Sequence, residues 1–157
     1  MGCVSPSRLM SNVRPHRMHT EPLHVVWEYD RGVRAGFANY KGTPHYFEQV
    51  WEELDYGSQF ILKPVTPEIV EMARTAREIF SAWEARRAMG KEDMTSRPDI
   101  PGKHPPYWKL YSKVTETLRA TAPLRQPANA RILPPRDTSF TQQNSAPRYW
   151  VEWDGAA

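Results

Sequence analysis

Cysteine is almost absent from this sequence, which has only Cys3 among its 157 residues. A single cysteine cannot form an intramolecular disulfide, so the disulfide framework of a small secreted domain is excluded. Apolar runs are short as well, and none approaches the roughly 18 residues that a transmembrane helix needs. The first residues are polar and basic, without the apolar stretch of a secretory signal peptide. The sequence therefore predicts a cytoplasmic protein that has no membrane contact.

Signatures of catalytic and cofactor sites are missing too. The sequence contains no Gly-x-Ser-x-Gly turn, no phosphate-binding loop and no glycine pattern of a dinucleotide site. His16, His19 and His24 lie close together, but a zinc site needs a folded frame with about four ligands, and the surrounding segment is polar and contains prolines. We therefore predict no metal site and no cofactor, and favour a non-enzymatic role.

Positive charge is concentrated toward the ends of the chain. The formal net charge is +3, with arginines recurring before Leu23 and again after Leu118, while the stretch between His24 and Val65 has more acids than bases. This distribution predicts a nearly neutral folded part with basic flanks, which favours weak contact with polyanions over a shaped nucleic-acid surface.

Composition along the chain predicts four segments. Residues 1–22 have no sustained periodicity and form a flexible basic arm; 23–121 form an α+β core domain; 122–147 are an irregular Pro/Arg-rich segment; and 148–157 contain a C-terminal strand and the end. The aromatic content requires a packed core in the second segment.

Short strands separated by turns are predicted in the first half of the core. Val25, Trp27 and Tyr29 alternate with polar or smaller residues, as in a half-buried strand. Turns at Asp30-Arg31-Gly32 and Lys41-Gly42 separate this strand from two more, and a fourth strand follows at Gln59–Leu62. The pattern is that of an antiparallel meander.

A long amphipathic helix is predicted from Thr66 to Gly90. Thr66 is a good N-cap and Pro67 suits the first helical turn. One apolar stripe then follows at spacings of three and four, formed by Ile69, Met72, Ala73, Ala76, Ile79, Phe80 and Trp83. A second, shorter helix is predicted over about 107–121.

The C-terminal run Arg148–Asp154 alternates like a strand and resembles the first strand in composition, so the two are expected to lie side by side. The predicted fold is α+β, with a four- to five-stranded antiparallel β-meander and two helices packed on one face. The opposite face of the sheet would then stay partly bare.

The stretch Trp27–Glu48, with its acidic glycine turn, Gly-x-Ala strand and Gly-x-Pro-His-x-Phe turn, resembles a group of small bacterial proteins of uncharacterised function. The resemblance covers about residues 24–120 and includes the step Leu62-Lys63-Pro64-Val65 into the helix. It implies no particular activity.

A protein-interaction or accessory module is the favoured function, because the sequence has more aromatic side chains than one face of a small sheet can bury. Exposed Tyr and Trp are typical interface anchors. The candidate contact residues are Trp27, Tyr29, Tyr40, Tyr46 and Trp51, and the partner would be another protein or a second copy of the chain.

Two alternatives stay open. A small hydrolase-like enzyme would use His45 together with Asp30 or Glu48, if the register brought them into one cleft. A weak single-stranded nucleic-acid binder would stack bases on the aromatics of the sheet, although the acidic residues there disfavour phosphate.

Overall fold

The computed structural model describes residues 19–50, 59–135 and 149–154. Trp51 and most of the N-terminal arm lie outside the described residues. In chain order the elements are β1 (His19–Tyr29), β2 (Val33–Tyr40), β3 (Thr43–Gln49), β4 (Gln59–Pro64), α1 (Pro67–Ala88), a 3-10 turn (Met94–Ser96), α2 (Pro105–Ala120), β5 (Ala128–Leu133) and β6 (Trp150–Trp153). No helix in this part of the chain is long and apolar enough to span a bilayer.

The predicted class is confirmed: the protein is α+β, with two helices and an antiparallel sheet. The predicted four- to five-stranded meander is wrong, because the sheet has six strands and closes into a barrel in the order β1-β2-β3-β4-β5-β6. Strand β5 lies within the segment predicted to be irregular, and β1 begins at His19, inside the predicted flexible arm.

The barrel closes through the two ends of the chain. His19–Pro22 of β1 pair with β6, whereas Leu23–Tyr29 pair with β2. Register shifts after Leu23, Val26 and Glu28 mark bulges in β1, and bulges bend a strand and increase its twist. The bends allow one long strand to follow two different neighbours. The last strand thus lies beside the first, as predicted, but it pairs with His19–Pro22 and not with the run Val25–Asp30 that resembles it in composition.

Both tight turns form where the sequence predicts them. Arg31 and Gly32 have positive φ angles of 57° and 138°, and Lys41 and Gly42 have 50° and 80°. Two consecutive positive φ angles suit a two-residue hairpin turn, which explains the glycine in the second of these turns. The turns fix the registers of β1 with β2 and of β2 with β3.

Side chains of all six strands fill the inside of the barrel. A barrel of so few strands encloses little space, so its interior is packed with side chains. The buried residues of this interior cluster are Leu23, Val33, Ala38, Phe47, Phe60, Leu62, Ala128, Ala130, Val151 and Trp153. Gly36 leaves room for this packing, because a Cβ there would lie 2.5 Å from the Val25 carbonyl oxygen and 2.9 Å from Cζ of Phe47.

Both helices pack on the outside of β1–β3. Thr66 caps α1, as predicted, by accepting a hydrogen bond from the backbone N–H of Ile69 at 3.4 Å. The outer faces of the three strands and the inner faces of the helices form a second cluster: Val25, Ala35, Phe37, Tyr46, Ile69, Val70, Ala73, Val114 and Leu118. The helices therefore cover the outer face of β1–β3, and the opposite, inner face of these strands lines the filled barrel. The prediction that the face opposite the helices stays partly bare is thus wrong for the described residues.

Barrel closure should depend on Trp153. Its side chain is fully buried, its ring packs edge-on against Phe47, and its indole N–H donates to the Asn39 carbonyl oxygen at 2.8 Å. We expect Trp153→Ala to lower the free energy of unfolding by about 3–5 kcal/mol. Trp153→Phe should cost less, because it keeps most of the ring volume. It still removes the indole hydrogen bond, which is worth about 1 kcal/mol. Chemical denaturation followed by circular dichroism measures both.

Glu152→Ala is the matched control, since Glu152 lies on the outward side of the same strand and pairs with exposed Arg131. This substitution should lower the free energy of unfolding by less than about 1 kcal/mol. Equal losses for Trp153→Ala and Glu152→Ala would contradict the role of Trp153 in closing the barrel.

Candidate functional site

The proposed catalytic residues lie apart in the fold. His45 is buried inside one end of the barrel, with only 6% of its surface exposed. Glu48 is three residues further along β3, so strand alternation points it to the outer face, where it is exposed. Asp30 lies in the turn before Val33, whereas His45 pairs with Ala38, five residues further along β2, which corresponds to about 16 Å. The three side chains do not form one cleft.

His45 itself is held by local contacts. Its Nδ1 donates to the Thr43 carbonyl oxygen at 2.8 Å, and its ring packs edge-on against Tyr40, with centroids 5.5 Å apart. Tyr40 in turn packs against Trp153, with centroids 5.2 Å apart. His45 and Tyr40 therefore close this end of the barrel.

One His–carboxylate pair was missed by the sequence reasoning. His19 Nε2 contacts Glu21 Oε1 at the beginning of β1, in a stretch that we had assigned to a flexible arm. His19, Glu21 and Leu23 occupy every second position, which is typical of a strand, but Pro22 interrupts this pattern. In the described part of the chain, no group of three His, Cys, Asp or Glu side chains is placed to hold a metal ion.

Two of the candidate contact residues lie under the helices. Trp27 is half-buried and stacks on Tyr111 of α2, with centroids 5.4 Å apart and planes inclined by 13°. Tyr46 is 7% exposed and packs against Phe37 in the layer between sheet and helices. Both side chains thus pack between the sheet and the helices, and Tyr46 presents almost no surface to solvent.

Tyr29 differs from the other described candidates, because 59% of its surface is exposed. It ends β1 opposite Val33, at the end of the barrel away from His45. Its side chain is hydrogen-bonded to that of Tyr149, and burial together with this contact raises the pKa of Tyr149. Tyr149 directly precedes β6 and packs partly against the barrel interior.

Further apolar side chains follow Tyr149 on β6 and on the neighbouring strand β5. Tyr149 is followed by Trp150, which is half-buried and pairs with Leu133 on β5 and with Pro22 on β1. We call Tyr29, Tyr149, Trp150 and Leu133 the aromatic rim. Its members lie outside the cluster that packs between sheet and helices, and Tyr29 is the most exposed of them.

Comparison of the chain with protein-family models, with curated proteins and with solved structures found no match. The resemblance to small bacterial proteins therefore stays a prediction, and the functional argument depends on the site alone.

The burial of Tyr46 gives a prediction for alkaline pH. Burial above all, and then the neighbouring charges of Glu48 and Glu28, raise the pKa of Tyr46 well above its usual value. An unfolded tyrosine ionises near pH 10, so the folded protein retains this proton where the unfolded chain loses it. The contribution to stability is complete below about pH 10 and is lost as the pH rises further, by at most about 1.4 kcal/mol per pH unit.

Tyr46→Phe should therefore make the alkaline loss of stability shallower than in the wild type. Urea denaturation at a series of pH values from 8 to about 11.5, around the usual tyrosine pKa, measures this slope. Met94→Ala is the control, because this exposed side chain does not ionise and should leave the slope unchanged. Identical slopes for Tyr46→Phe and the wild type would contradict the assignment.

Proposed function

We propose that this protein is a non-enzymatic interaction module that binds a protein partner, or a second copy of itself, through the aromatic rim. The cytoplasmic location and the relation to small bacterial proteins, both predicted from the sequence, belong to the same proposal. The observation that supports it is the exposure of Tyr29 beside Tyr149 at the end of β1.

The exposure of Tyr29 is unusual for the aromatics of this fold. Every other described Phe, Trp and Tyr is buried or half-buried, and most pack in pairs within the core. Tyr and Trp are enriched among the residues that dominate binding energies, because they present a large apolar surface with one polar group. A tyrosine that contributes so little to the core is thus well suited to contact another molecule.

The filled interior supports binding at the surface over binding inside the barrel. The side chains of Phe47, Leu62, Val151 and Trp153 are fully buried there, and small-molecule sites in barrels need an open interior or mouth. The separation of His45 from Asp30 and Glu48 likewise removes the arrangement on which the enzyme alternative depended.

Charge near the rim gives little support to the nucleic-acid alternative. Glu28, Asp30, Arg31 and Arg34 surround Tyr29 in β1, the turn and β2, and their formal charges cancel. Binding of single strands combines stacking with a positively charged groove that follows the phosphates. Among the described residues, the rim offers aromatic surface without such a groove.

A photo-crosslinking amino acid at position 29 tests this proposal. We expect irradiation in cells to yield a specific adduct, either with another protein or with a second copy, that Tyr149→Ala reduces. Met94 is the matched control position, because it is 46% exposed in the 3-10 turn between the helices and away from the rim. Adducts that are equal at the two positions, or absent from both, would rule out the rim as the binding surface.

Analytical ultracentrifugation identifies which partner is used. If the second copy is the partner, the wild type should dimerise with increasing concentration, and Tyr29→Ala should weaken the dimer at least about fivefold, since an interface anchor contributes more than about 1 kcal/mol. Tyr29→Ala should change the free energy of unfolding by no more than about 0.5 kcal/mol, as expected for an exposed site.

A further inference from the structure

We propose that Arg77, Arg97 and Tyr107, gathered around the ring of Phe80, form a binding site for a phosphoryl group. The site is built by the two helices and the 3-10 turn that connects them. No residue of the aromatic rim belongs to it, so the inference does not depend on the proposed function. It follows from two guanidinium groups placed on one ring, from the support of the loop that carries Arg97, and from a buried tyrosine beside them.

Two arginine side chains from different elements lie over the ring of Phe80. The guanidinium carbons of Arg77, on α1, and of Arg97, directly after the 3-10 turn, each lie 5.3 Å from the centroid of this ring. They are therefore at most twice that distance apart. A cation–π contact uses none of the N–H donors of a guanidinium, which lie in the plane of its fork and stay available to an anion.

The positive charge of these arginines is only partly compensated. Nε of Arg97 lies 2.8 Å from Oδ1 of Asp99, and both atoms are buried without a well-aligned hydrogen bond. Arg77 takes part in none of the ion pairs that the described residues form. Two guanidinium groups and one carboxylate leave one positive charge at Phe80, which favours an anionic ligand.

The loop that carries Arg97 is held in place from both sides. Pro98 is fully buried, and the indole N–H of Trp108, on α2, donates to the Ile100 carbonyl oxygen at 3.2 Å. Side chains that are already held in position lose little conformational entropy when a ligand binds. The support of this loop therefore favours binding at Arg97.

Tyr107 supplies a third donor. Its side chain is 6% exposed, and its ring centroid lies 6.1 Å from that of Phe80. Burial above all raises the pKa of Tyr107, whereas the charges of Arg77 and Arg97 act in the opposite direction, so both guanidinium groups lie near its hydroxyl. The hydroxyl therefore keeps its proton at neutral pH and can donate it to a hydrogen bond.

This set of donors matches a phosphoryl group. Arginine binds phosphate through two parallel hydrogen bonds, and a phosphoryl group presents three strong acceptor oxygens. Two guanidinium forks and one hydroxyl can therefore bind all three oxygens, whereas a carboxylate has only two oxygens to offer.

An NMR titration of the full chain tests the inference with three ligands: an acetylated phosphoserine amide, its unphosphorylated form and inorganic phosphate. We expect the two phosphate ligands to bind saturably and the unphosphorylated amide not to bind. The backbone amides of Arg97 and Tyr107 should shift most. Tighter binding of the phosphoserine amide than of inorganic phosphate would identify a phosphorylated protein as the source of the group, and equal affinities would identify free phosphate.

Substitution of Arg77 measures the contribution of its fork. Arg77→Gln should weaken binding of the phosphoserine amide at least about tenfold, because it removes charge-assisted hydrogen bonds. Arg77→Lys should recover only part of this loss, since it keeps the charge without the fork. Arg87→Gln is the matched control, because this guanidinium lies over Trp83 on the same helix, 5.8 Å from the ring centroid, and should leave the affinity unchanged.

Failure of both phosphate ligands to bind would overturn the inference. Equal weakening by Arg77→Gln and Arg87→Gln would overturn it too, because the effect would then come from net charge alone. Should Arg77→Gln not fold, as judged by urea denaturation, the comparison of Arg77→Lys with the wild type decides, and an unchanged affinity would contradict the site.

Discussion

Closure of the barrel by the last strand is the constraint on which the rest of the structure depends. Strand β6 has four residues, yet it pairs with β1 on one side and β5 on the other, and its two inward side chains, Val151 and Trp153, are fully buried. A six-stranded interior can be filled only when every strand contributes. Without β6, Phe47 and Tyr40 would lose the ring that they both pack against. The two distant ends of the chain therefore complete one core.

This closure determines where each aromatic side chain lies. Phe47, Phe60 and Trp153 face inward, whereas Phe37 and Tyr46 face the helices. An open sheet would have left one of these two sets exposed to solvent, where its aromatic side chains could have formed a binding surface. With both sets covered, Tyr29 at the end of β1 is the one exposed aromatic side chain among the described residues. The proposed binding surface therefore moves from the face of the sheet to the end of β1.

Local chemistry made much of the fold predictable. The cap at Thr66, the apolar stripe of α1 and the glycine of the Lys41-Gly42 turn act within a few residues, and all three occur as predicted. Strand β5 was missed because Ala128, Asn129 and Ala130 are residues depleted in strands, and prolines border the segment. Its inward-facing alanines fit the narrow barrel interior between larger side chains. This need for small side chains arises only when the sheet closes into a barrel.

The site was less predictable, because strand alternation fails where β1 is bulged. Trp27 and Tyr29 are two residues apart and should share a face, yet Trp27 stacks under α2 while Tyr29 ends the strand opposite Val33. The register shifts after Val26 and Glu28 separate them. The bends that bring the start of β1 to β6 also turn its end outward, so the same irregularity that closes the core leaves Tyr29 exposed. A strand without bulges would keep the alternation of side chains between the two faces, but it could not pair with both β6 and β2. The exposure of Tyr29 is therefore a consequence of how this barrel closes.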